Sequence, residues 1–253
     1  MLYIVGIGLS PKHITQEALE TLRACEKIYL VTYTSKYSDA DTKDLEELVG
    51  KTVQVLTRTQ TENEFGSILN EARKPKIGLA VFGNPLNATT HIQMLLDAKE
   101  AQVKAKVIAG ISIFEFVAFT GLDRYKFGRT TTVVFQEEDY EPESFYDAIL
   151  ENKKIGLHTM CLLDIKSDEG RLMGIGHAIS ILERIEERRE QNVLSESVLV
   201  GIAGAGSEGQ QIRAGTAEQL KSHDFSVYPQ SLIVCGKLNE KEIEALRSLS
   251  GLK

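Results

Sequence analysis

The sequence predicts an α/β fold made of two α/β domains with a ligand cleft between them. Between residues 2 and 109, short apolar runs alternate with amphipathic helical patterns, and this repeated β-α-β order is typical of a mostly parallel sheet with helices on both faces. The pattern changes near residues 110–130 and is mixed afterwards. Because 253 residues suffice for two modest cores, we expect domains at residues 1–113 and 114–253. Ligands of such sheets gather at carboxyl ends of strands and at domain interfaces.

The first half supplies the alternating elements. Residues 2–7 are apolar and lead into glycine, which is typical of a buried strand, and residues 15–25 place Ala18, Leu22 and Cys25 on one helical face. Residues 61–64 read Thr-Glu-Asn-Glu, which resembles a capping box and predicts a helix running to about residue 73. The other predicted elements are strands at 27–31, 52–56, 77–82 and 104–109, and helices at 42–49 and 89–101.

The second half predicts a mixed domain. A helix is expected at residues 112–120, followed by a stretch containing Gly and Lys up to residue 129. Strand-like apolar runs and helical patterns then follow without strict alternation. The predicted elements are strands at 131–135, 157–165, 197–203 and 231–235, and helices at 143–152, 175–188 and 239–249.

Composition narrows the class of protein. Apolar residues make up 42% of the chain, which is too many for a disordered protein, and the net charge of −7 disfavours direct binding of nucleic acid. The cysteines Cys25, Cys161 and Cys235 are widely spaced without a C-x-x-C pair, which suits a reducing cytosol, and two of them lie in apolar runs typical of buried thiols. The N-terminus lacks the basic leader of a signal peptide, and no apolar run reaches the roughly 18 residues of a membrane helix. We therefore expect a cytoplasmic protein without membrane contact.

The histidines give little support for a metal centre. None of the five is paired at i, i+4, and none belongs to an H-E-x-x-H motif, so we predict no metal site. His158 begins a predicted strand and is expected to be structural. His91 lies at the head of a predicted helix beside a polar loop and is the one histidine whose position suggests a functional role. No catalytic acid, base or nucleophile is predicted.

Two early loops that follow strands are candidates for ligand binding. Residues 6–11 read Gly-Ile-Gly-Leu-Ser-Pro, in which Pro11 stands where a dinucleotide fingerprint requires its third glycine. Residues 83–91 read Gly-Asn-Pro-Leu-Asn-Ala-Thr-Thr-His. This polar run is longer than a simple strand-to-helix turn needs, which favours a binding loop.

Two later loops are weaker candidates. Residues 204–209 form a literal G-x-G-x-x-G after a predicted strand, and Asp224 lies near the spacing of a ribose-binding acid. The segment after the glycines is a poor crossover helix interrupted by Gly215, so a nicotinamide site is disfavoured relative to another kind of ligand-facing loop. Residues 229–231 precede the last predicted strand and are typical of a turn.

Several segments together resemble one family. LYIVGIGLSPKHIT followed by EALETLRACEKIYL resembles the opening of the tetrapyrrole methylase superfamily, the class III methyltransferases. Within it, GNPLNATTH, TGLDRYKFGR, GLHTMCLLDIK, AGS followed by QQIRAG, and LIVCGKL resemble the diphthine synthase family. Each piece alone is unspecific, but the ordered set covers nearly the whole chain.

The resemblance implies a methyl donor, S-adenosyl-L-methionine, bound between the domains, with S-adenosyl-L-homocysteine as product. Relatives usually carry aspartate at position 84 and often histidine at position 230, where this chain has Asn and Gln. Matched position by position, the implied donor contacts are Leu9, Asn84, Asn87, Ser112, Ile113, Leu163, Ala205 and Gln230.

The resemblance also implies a protein substrate and a dimer. The substrate would be translation elongation factor 2, whose aminocarboxypropyl-modified histidine is methylated repeatedly on its amino group, and the enzyme would be a homodimer. Two alternatives stay open. One is a methylase of small tetrapyrroles, against which the absence of Trp and the 7% of aromatic residues argue mildly. The other is a nicotinamide-dependent oxidoreductase that uses residues 204–209.

Overall fold

The computed structural model describes residues 1–253, apart from the side chain of residue 168. The chain forms two compact units. The first contains Met1–Ile113 together with Gly206–Glu208, and the second contains Phe114–Ala205 and Gly209–Lys253. Each described helix is too short or too polar to cross a membrane.

A parallel sheet forms the centre of the first unit, as the alternating sequence pattern predicts. Its strand order is β3-β2-β4-β1-β5, and each pair of neighbours runs parallel. The central strand β1 therefore lies between β4 and β5, and the three carboxyl ends meet at one edge of the sheet. The strands are β1 (Leu2–Gly6), β2 (Lys27–Val31), β3 (Val53–Leu56), β4 (Ile77–Val81) and β5 (Ala105–Ile108).

Helices cover both faces of this sheet. Successive strand residues point to opposite faces, so Ile4 packs in one hydrophobic cluster and Val5 in another. The cluster of Ile4 includes Leu69 and Met94, and the cluster of Val5 includes Leu22. The helices of this unit are α1 (Gln16–Ala24), α2 (Thr42–Val49), α3 (Arg58–Glu62), α4 (Phe65–Glu71) and α5 (Ile92–Glu100).

The predicted helix at residues 61–73 was wrong. Two short helices occupy this stretch, and the capping box is formed earlier, by Thr57 with Gln60. Thr61 lies inside α3, where its buried hydroxyl donates to the Thr57 carbonyl (2.8 Å). The Thr-x-x-Gln pattern at 57–60 satisfies the first N–H groups just as well as the later pattern, and α4 then starts where Phe65 enters the core.

A mixed sheet forms the centre of the second unit, again as predicted. Its order is β11-β10-β12-β7-β6, in which β6 and β7 run parallel and the other neighbouring pairs run antiparallel. A separate small hairpin joins β8 to β9. The strands are β6 (Thr131–Val133), β7 (Thr159–Leu163), β8 (Ile165–Lys166), β9 (Arg171–Leu172), β10 (Leu199–Ala203), β11 (Gln211–Gly215) and β12 (Gln230–Val234).

The long helices of the second unit share one hydrophobic core with this sheet. Phe145 and Ile149 from one helix pack in the same cluster as Ile179 and Leu182 from the next and Leu232 from β12. At the predicted helix 112–120, a single α-helical turn passes into a 3₁₀ turn at Val117–Thr120 that ends at Gly121, whose φ is +86°. The helices are α6 (Ile113–Phe116), α7 (Ser144–Lys154), α8 (Ile175–Arg189), α9 (Ala217–Ser222) and α10 (Glu240–Leu249).

The segment after residues 204–209, which the sequence makes a poor crossover helix, forms the strand β11. The glycine-containing segment connects β10 to β11, which pair antiparallel with Ala203 opposite Gln211. A dinucleotide fingerprint requires a parallel strand-to-helix turn, because the helix N-terminus binds the pyrophosphate. The geometry therefore removes the structural context on which a nicotinamide site at these glycines depends.

Candidate functional site

Three loops leave the carboxyl edge of the first sheet close together. They follow β1, β4 and β5, and they carry or directly precede the predicted site residues of the first unit: Leu9, Asn84, Asn87, Ser112 and Ile113. The loops after β1 and β4 are joined by two backbone hydrogen bonds, from Gly8 N–H to the Gly83 carbonyl (3.3 Å) and from Gly83 N–H to the Gly8 carbonyl (2.8 Å). The parallel sheet therefore brings residues that are distant in sequence to one place.

Glycines allow the backbones of these loops to touch. A Cβ placed on Gly110 would lie 2.2 Å from the Gly83 carbonyl oxygen, and one on Gly6 would lie 2.6 Å from the Gly110 nitrogen. Both distances are far below van der Waals contact. Gly83 also has a φ of +69°, a conformation that glycine adopts without strain. These glycines were not singled out as site residues from the sequence, because only the folded structure shows which backbones approach each other.

The side chains of the three loops converge around Gly83. A Cβ on Gly83 would lie 3.7 Å from Leu9 Cδ2 and 3.7 Å from Ser112 Cβ. Asn87 Nδ2 donates to the Ser112 hydroxyl (3.1 Å), and Ser112 is buried. Ile113 follows directly as the first residue of α6. The predicted residues of the first unit thus share one neighbourhood.

Local hydrogen bonds shape the loop at residues 83–91. Asn84 Oδ1 accepts from the Leu86 N–H (3.1 Å), and the Asn84 carbonyl accepts from the Asn87 N–H (3.2 Å). These bonds fold the chain into a turn in which both asparagines have fixed positions. Since the oxygen of the Asn84 amide is used inside the loop, its turn-forming role is shown directly by the structure.

The three predicted residues of the second unit also lie near each other. Leu163 ends β7, Ala205 follows β10, and Gln230 begins β12. Because β12 is antiparallel to both neighbours, its start lies beside their ends, with Gln230 opposite Ala203 and Ser231 opposite Leu162. A hydrogen bond from the Gly204 N–H to the Pro229 carbonyl (2.9 Å) joins the loop after β10 to the loop before β12.

The Gln230 side chain makes three hydrogen bonds within the second unit. Its Oε1 accepts from the Ile175 N–H (2.8 Å), and its Nε2 donates to the carbonyls of Phe225 (2.7 Å) and Val227 (3.0 Å). The residue is 5% exposed. These bonds use both N–H groups of the amide and one of the two lone pairs on its oxygen, so the side chain has no donor left for a ligand.

Comparison with known proteins agrees with this architecture over the whole chain. The model of the tetrapyrrole (corrin/porphyrin) methylases matches residues 1–221. The diphthine synthase of Methanocella arvoryzae is 38% identical, covering 100% of this chain and 99% of its own. The diphthine methyl ester synthase of Schizosaccharomyces pombe is 36% identical, covering 98% and 94%. A crystal structure of diphthine synthase superposes with a TM-score of 0.91 at 32% identity, covering 100% of this chain and 96% of the other. The chain belongs to the diphthine synthase family of tetrapyrrole methylases. It is a methyltransferase by that membership.

The first unit has polar groups that fit the methyl donor of this family. Tyr37 Oη donates to the Ile7 carbonyl (2.8 Å) and so ties the segment after β2 to the loop after β1. On that segment, the buried hydroxyl oxygens of Thr34 and Ser38 have no hydrogen-bond partner among the described residues. Buried hydroxyls without partners are costly, and a nucleoside or an amino acid carboxylate would satisfy them. The residues present therefore fit S-adenosylmethionine.

His158 is structural, as the sequence predicts. It is fully buried, its Nδ1 accepts from the Gly236 N–H (3.0 Å), and its Nε2 faces Glu242 Oε1 (2.9 Å). Because Nδ1 is an acceptor, the proton of the neutral ring is on Nε2 and is donated to Glu242. Burial, the largest influence, lowers the pKa of His158 below 6.5.

Glu242 is the centre of this buried network. Its carboxylate also accepts from the backbone N–H groups of Asp123 (3.0 Å) and Asn239 (2.9 Å) and from the Lys126 ammonium. Burial alone would raise the pKa of this carboxyl, but the hydrogen bonds outweigh burial and lower the pKa to about 2. A carboxylate held in this way is a poor general base.

The structure gives little support to a catalytic cysteine or a metal site. The three cysteines are buried thiols, and burial raises the pKa of Cys161 and of Cys235 to about 12. A thiol with such a pKa is protonated at neutral pH and is a weak nucleophile. Among the described residues, no group of three His, Cys, Asp or Glu side chains is placed to hold a metal ion.

Proposed function

We propose that this protein transfers methyl groups from S-adenosylmethionine to the amino group of the aminocarboxypropyl-modified histidine of elongation factor 2, a step of diphthamide biosynthesis. The observation that carries the proposal is the match over nearly full length to relatives named diphthine synthase and diphthine methyl ester synthase. A match confined to one unit would support only the fold. The antiparallel geometry at residues 204–209 also disfavours the nicotinamide alternative.

The proposed donor contacts come from both units. In the first, Leu9, Asn87 and Ser112 supply an apolar contact and two polar groups, with Asn84 contributing through its backbone and Ile113 beside Ser112. In the second, we place Leu163, Ala205 and the backbone of Gln230 against the donor. When bound, the donor supplies an electrophilic methyl group on a cationic sulfur.

Positioning is the main contribution that these residues make. An amine and a methyl carbon that are held in line react faster because the orientational entropy is lost on binding and not in the reaction. Leu9, Ile113 and Leu163 exclude water, which suits a reaction that disperses positive charge. The amine must lose a proton before each transfer, and water can accept it, so we assign no side chain as general base.

Two reaction products are consistent with the names of the relatives. One relative is named a diphthine synthase and the other a diphthine methyl ester synthase, so the second name includes an ester on the carboxylate. We propose methylation of the amino group as the activity of this chain and treat ester formation as an additional outcome of the assay.

A labelled-methyl assay tests the proposal. Purified protein is incubated with labelled S-adenosylmethionine and elongation factor 2 that carries the aminocarboxypropyl group, and unmodified elongation factor 2 is the control. We expect label only in the modified factor, with the number of methyl groups and any ester counted by mass. Label in neither factor, or binding of NAD without binding of S-adenosylhomocysteine, would refute the proposal.

Three further expectations accompany this function. We propose that the protein is a homodimer, which sedimentation of the purified chain would show, and that it acts in the cytoplasm, which fractionation of the source cells would show. We also propose that residues 1–113 and 114–253 are separate domains. Limited proteolysis that cuts first near residue 113 would support this division.

A further inference from the structure

We propose that His91 is a positioning residue for the donor-binding loop, which it holds through a hydrogen bond to the Pro85 carbonyl. The proposal rests on the function proposed above, and no donor contact is assigned to His91 itself. His91 stands at the N-terminal end of α5, directly after the loop that carries Asn84 and Asn87. It is 1% exposed, so its polar ring must find partners inside the protein.

The imidazole ring of His91 lies against the loop that precedes it, beside Pro85. Nδ1 lies 3.0 Å from the Pro85 carbonyl oxygen, and a carbonyl can only accept, so Nδ1 carries the proton. The other nitrogen, Nε2, lies 3.5 Å from Tyr33 Oη, and the two rings meet edge to face. The imidazole therefore donates from Nδ1 to Pro85 and has the ring of Tyr33 against its other side.

The Pro85 carbonyl receives a second bond from the same segment. The Thr89 hydroxyl donates to it (3.3 Å), and Thr89 Oγ1 itself accepts from the His91 N–H (2.8 Å). Pro85 is buried and has no N–H, so this carbonyl is its one backbone group for anchoring the turn. Two side chains from the end of the loop thus hold its middle.

Anchoring Pro85 sets the positions of its neighbours. Asn84 precedes Pro85, and Asn87 follows two residues later and donates to Ser112. If the His91 bond is lost, the loop must be ordered by the donor, and the cost of ordering appears as weaker binding. Once the donor is bound, the loop of the variant should have the same structure as in the wild-type protein, so kcat should change little.

The test compares two substitutions in the full-length protein. His91→Asn keeps an N–H donor near the position of Nδ1, whereas His91→Leu keeps much of the volume and removes the donor. Calorimetric titration with S-adenosylhomocysteine should show a Kd about tenfold higher for His91→Leu and within about twofold of wild type for His91→Asn. In the methyl-transfer assay, His91→Leu should raise the KM for the donor and leave kcat within about twofold.

Two controls separate positioning from general stability. His158→Asn alters an equally buried histidine in the second unit and should lower the Tm without changing the Kd. Tyr33→Phe removes the long contact to Nε2 together with the interaction of the Tyr33 hydroxyl with Thr90, and it should leave the Kd within about twofold. If His91→Leu does not fold, Thr89→Val decides, because it removes the second donor to Pro85 and should raise the Kd about threefold.

The outcomes that overturn the inference differ from those that overturn the proposed function. Wild-type protein that does not bind S-adenosylhomocysteine contradicts the function. Wild-type binding together with an unchanged Kd in His91→Leu, or with equal losses in His91→Asn and His91→Leu, contradicts the role of His91 alone.

Discussion

At Gly110 the loop has room for a hydrogen atom but not for a methyl group. A Cβ there would lie 2.2 Å from the Gly83 carbonyl oxygen and 2.8 Å from the Gly6 backbone. Gly6 is the last residue of β1, and Gly83 and Gly110 lie in the loops after β4 and β5, so none of the three can move without disturbing the others. The same crowding brings Ser112 to the loop that carries Asn87.

Gly110→Ala should therefore lower the free energy of unfolding by about 3 kcal/mol, because the obstacle is backbone and not a flexible side chain. Urea unfolding followed by circular dichroism measures the change. Gly176→Ala is the matched control. Its Cβ would meet nothing within 4 Å and it lies in α8, so it should stabilise by about 0.5 kcal/mol. Equal effects at the two positions would show that the close approach at Gly110 is not as described.

At the scale of elements, the start of α8 shows how a helix can be capped from a distance. Its N-cap residue is Gly174, which has no side chain, and its first N–H group, on Ile175, donates to Gln230. The helices α1 and α9, in contrast, are capped by the side chain of the threonine directly before the helix. Gln230 in addition fixes the carbonyls of Phe225 and Val227, so one side chain joins a helix, a loop and a strand.

We expect Gln230→Met to lower the free energy of unfolding by about 3 kcal/mol, since the backbone groups of Ile175, Phe225 and Val227 lose their partner while the volume is kept. Gln93→Met is the control, because the Gln93 side chain is exposed and donates to Asp97 one turn away, and the change should alter stability by less than about 0.5 kcal/mol. Thermal unfolding of both variants measures the difference. A Gln230→Met protein with the wild-type Tm would contradict the capping role.

At the scale of the whole molecule, the network of His158 and Glu242 makes stability depend on pH. Both pKa values are lower in the folded protein than in the unfolded chain, from 6.5 for the histidine and from 4.5 to about 2 for the carboxyl. The unfolded chain therefore binds more protons than the folded one as the pH falls, and stability decreases in the same direction. The contribution of His158 is complete above pH 6.5, and that of Glu242 is complete above pH 4.5.

We expect the urea midpoint to fall as the pH decreases from 7 to 5 and to fall further below 4.5, where the Glu242 contribution of about 3 kcal/mol is progressively lost. Glu242→Gln removes the titrating group. This variant should be less stable at pH 7 by about 3 kcal/mol and should show a weaker pH dependence below 4.5. The same slope below pH 4.5 in the variant and the wild type would contradict the assignment.

Local patterns in the sequence were sufficient for the parallel sheet, the mixed sheet and the loops that carry the candidate site. The reason is that the spacing of apolar residues indicates which face of an element is buried. Turn residues such as Gly83 and Pro85 indicate where an element ends and the chain turns. The ordered family segments added the chemistry, since they identified a methyltransferase without any glycine fingerprint. Which residues contact the donor stays a prediction.

Only the tertiary structure shows the features that depend on contacts between residues distant in sequence. Residues 211–215 form a strand because β10 offers an open edge, and the start of α8 relies on Gln230, a residue far along the chain. The buried network of Glu242 likewise depends on its contacts with His158 and Lys126. The need for glycine at position 110 depends on the nearby Gly83 carbonyl. A sequence window reports the preference of a segment for a structure, but a hydrogen bond or a steric contact between distant segments exists only after the fold has brought them together.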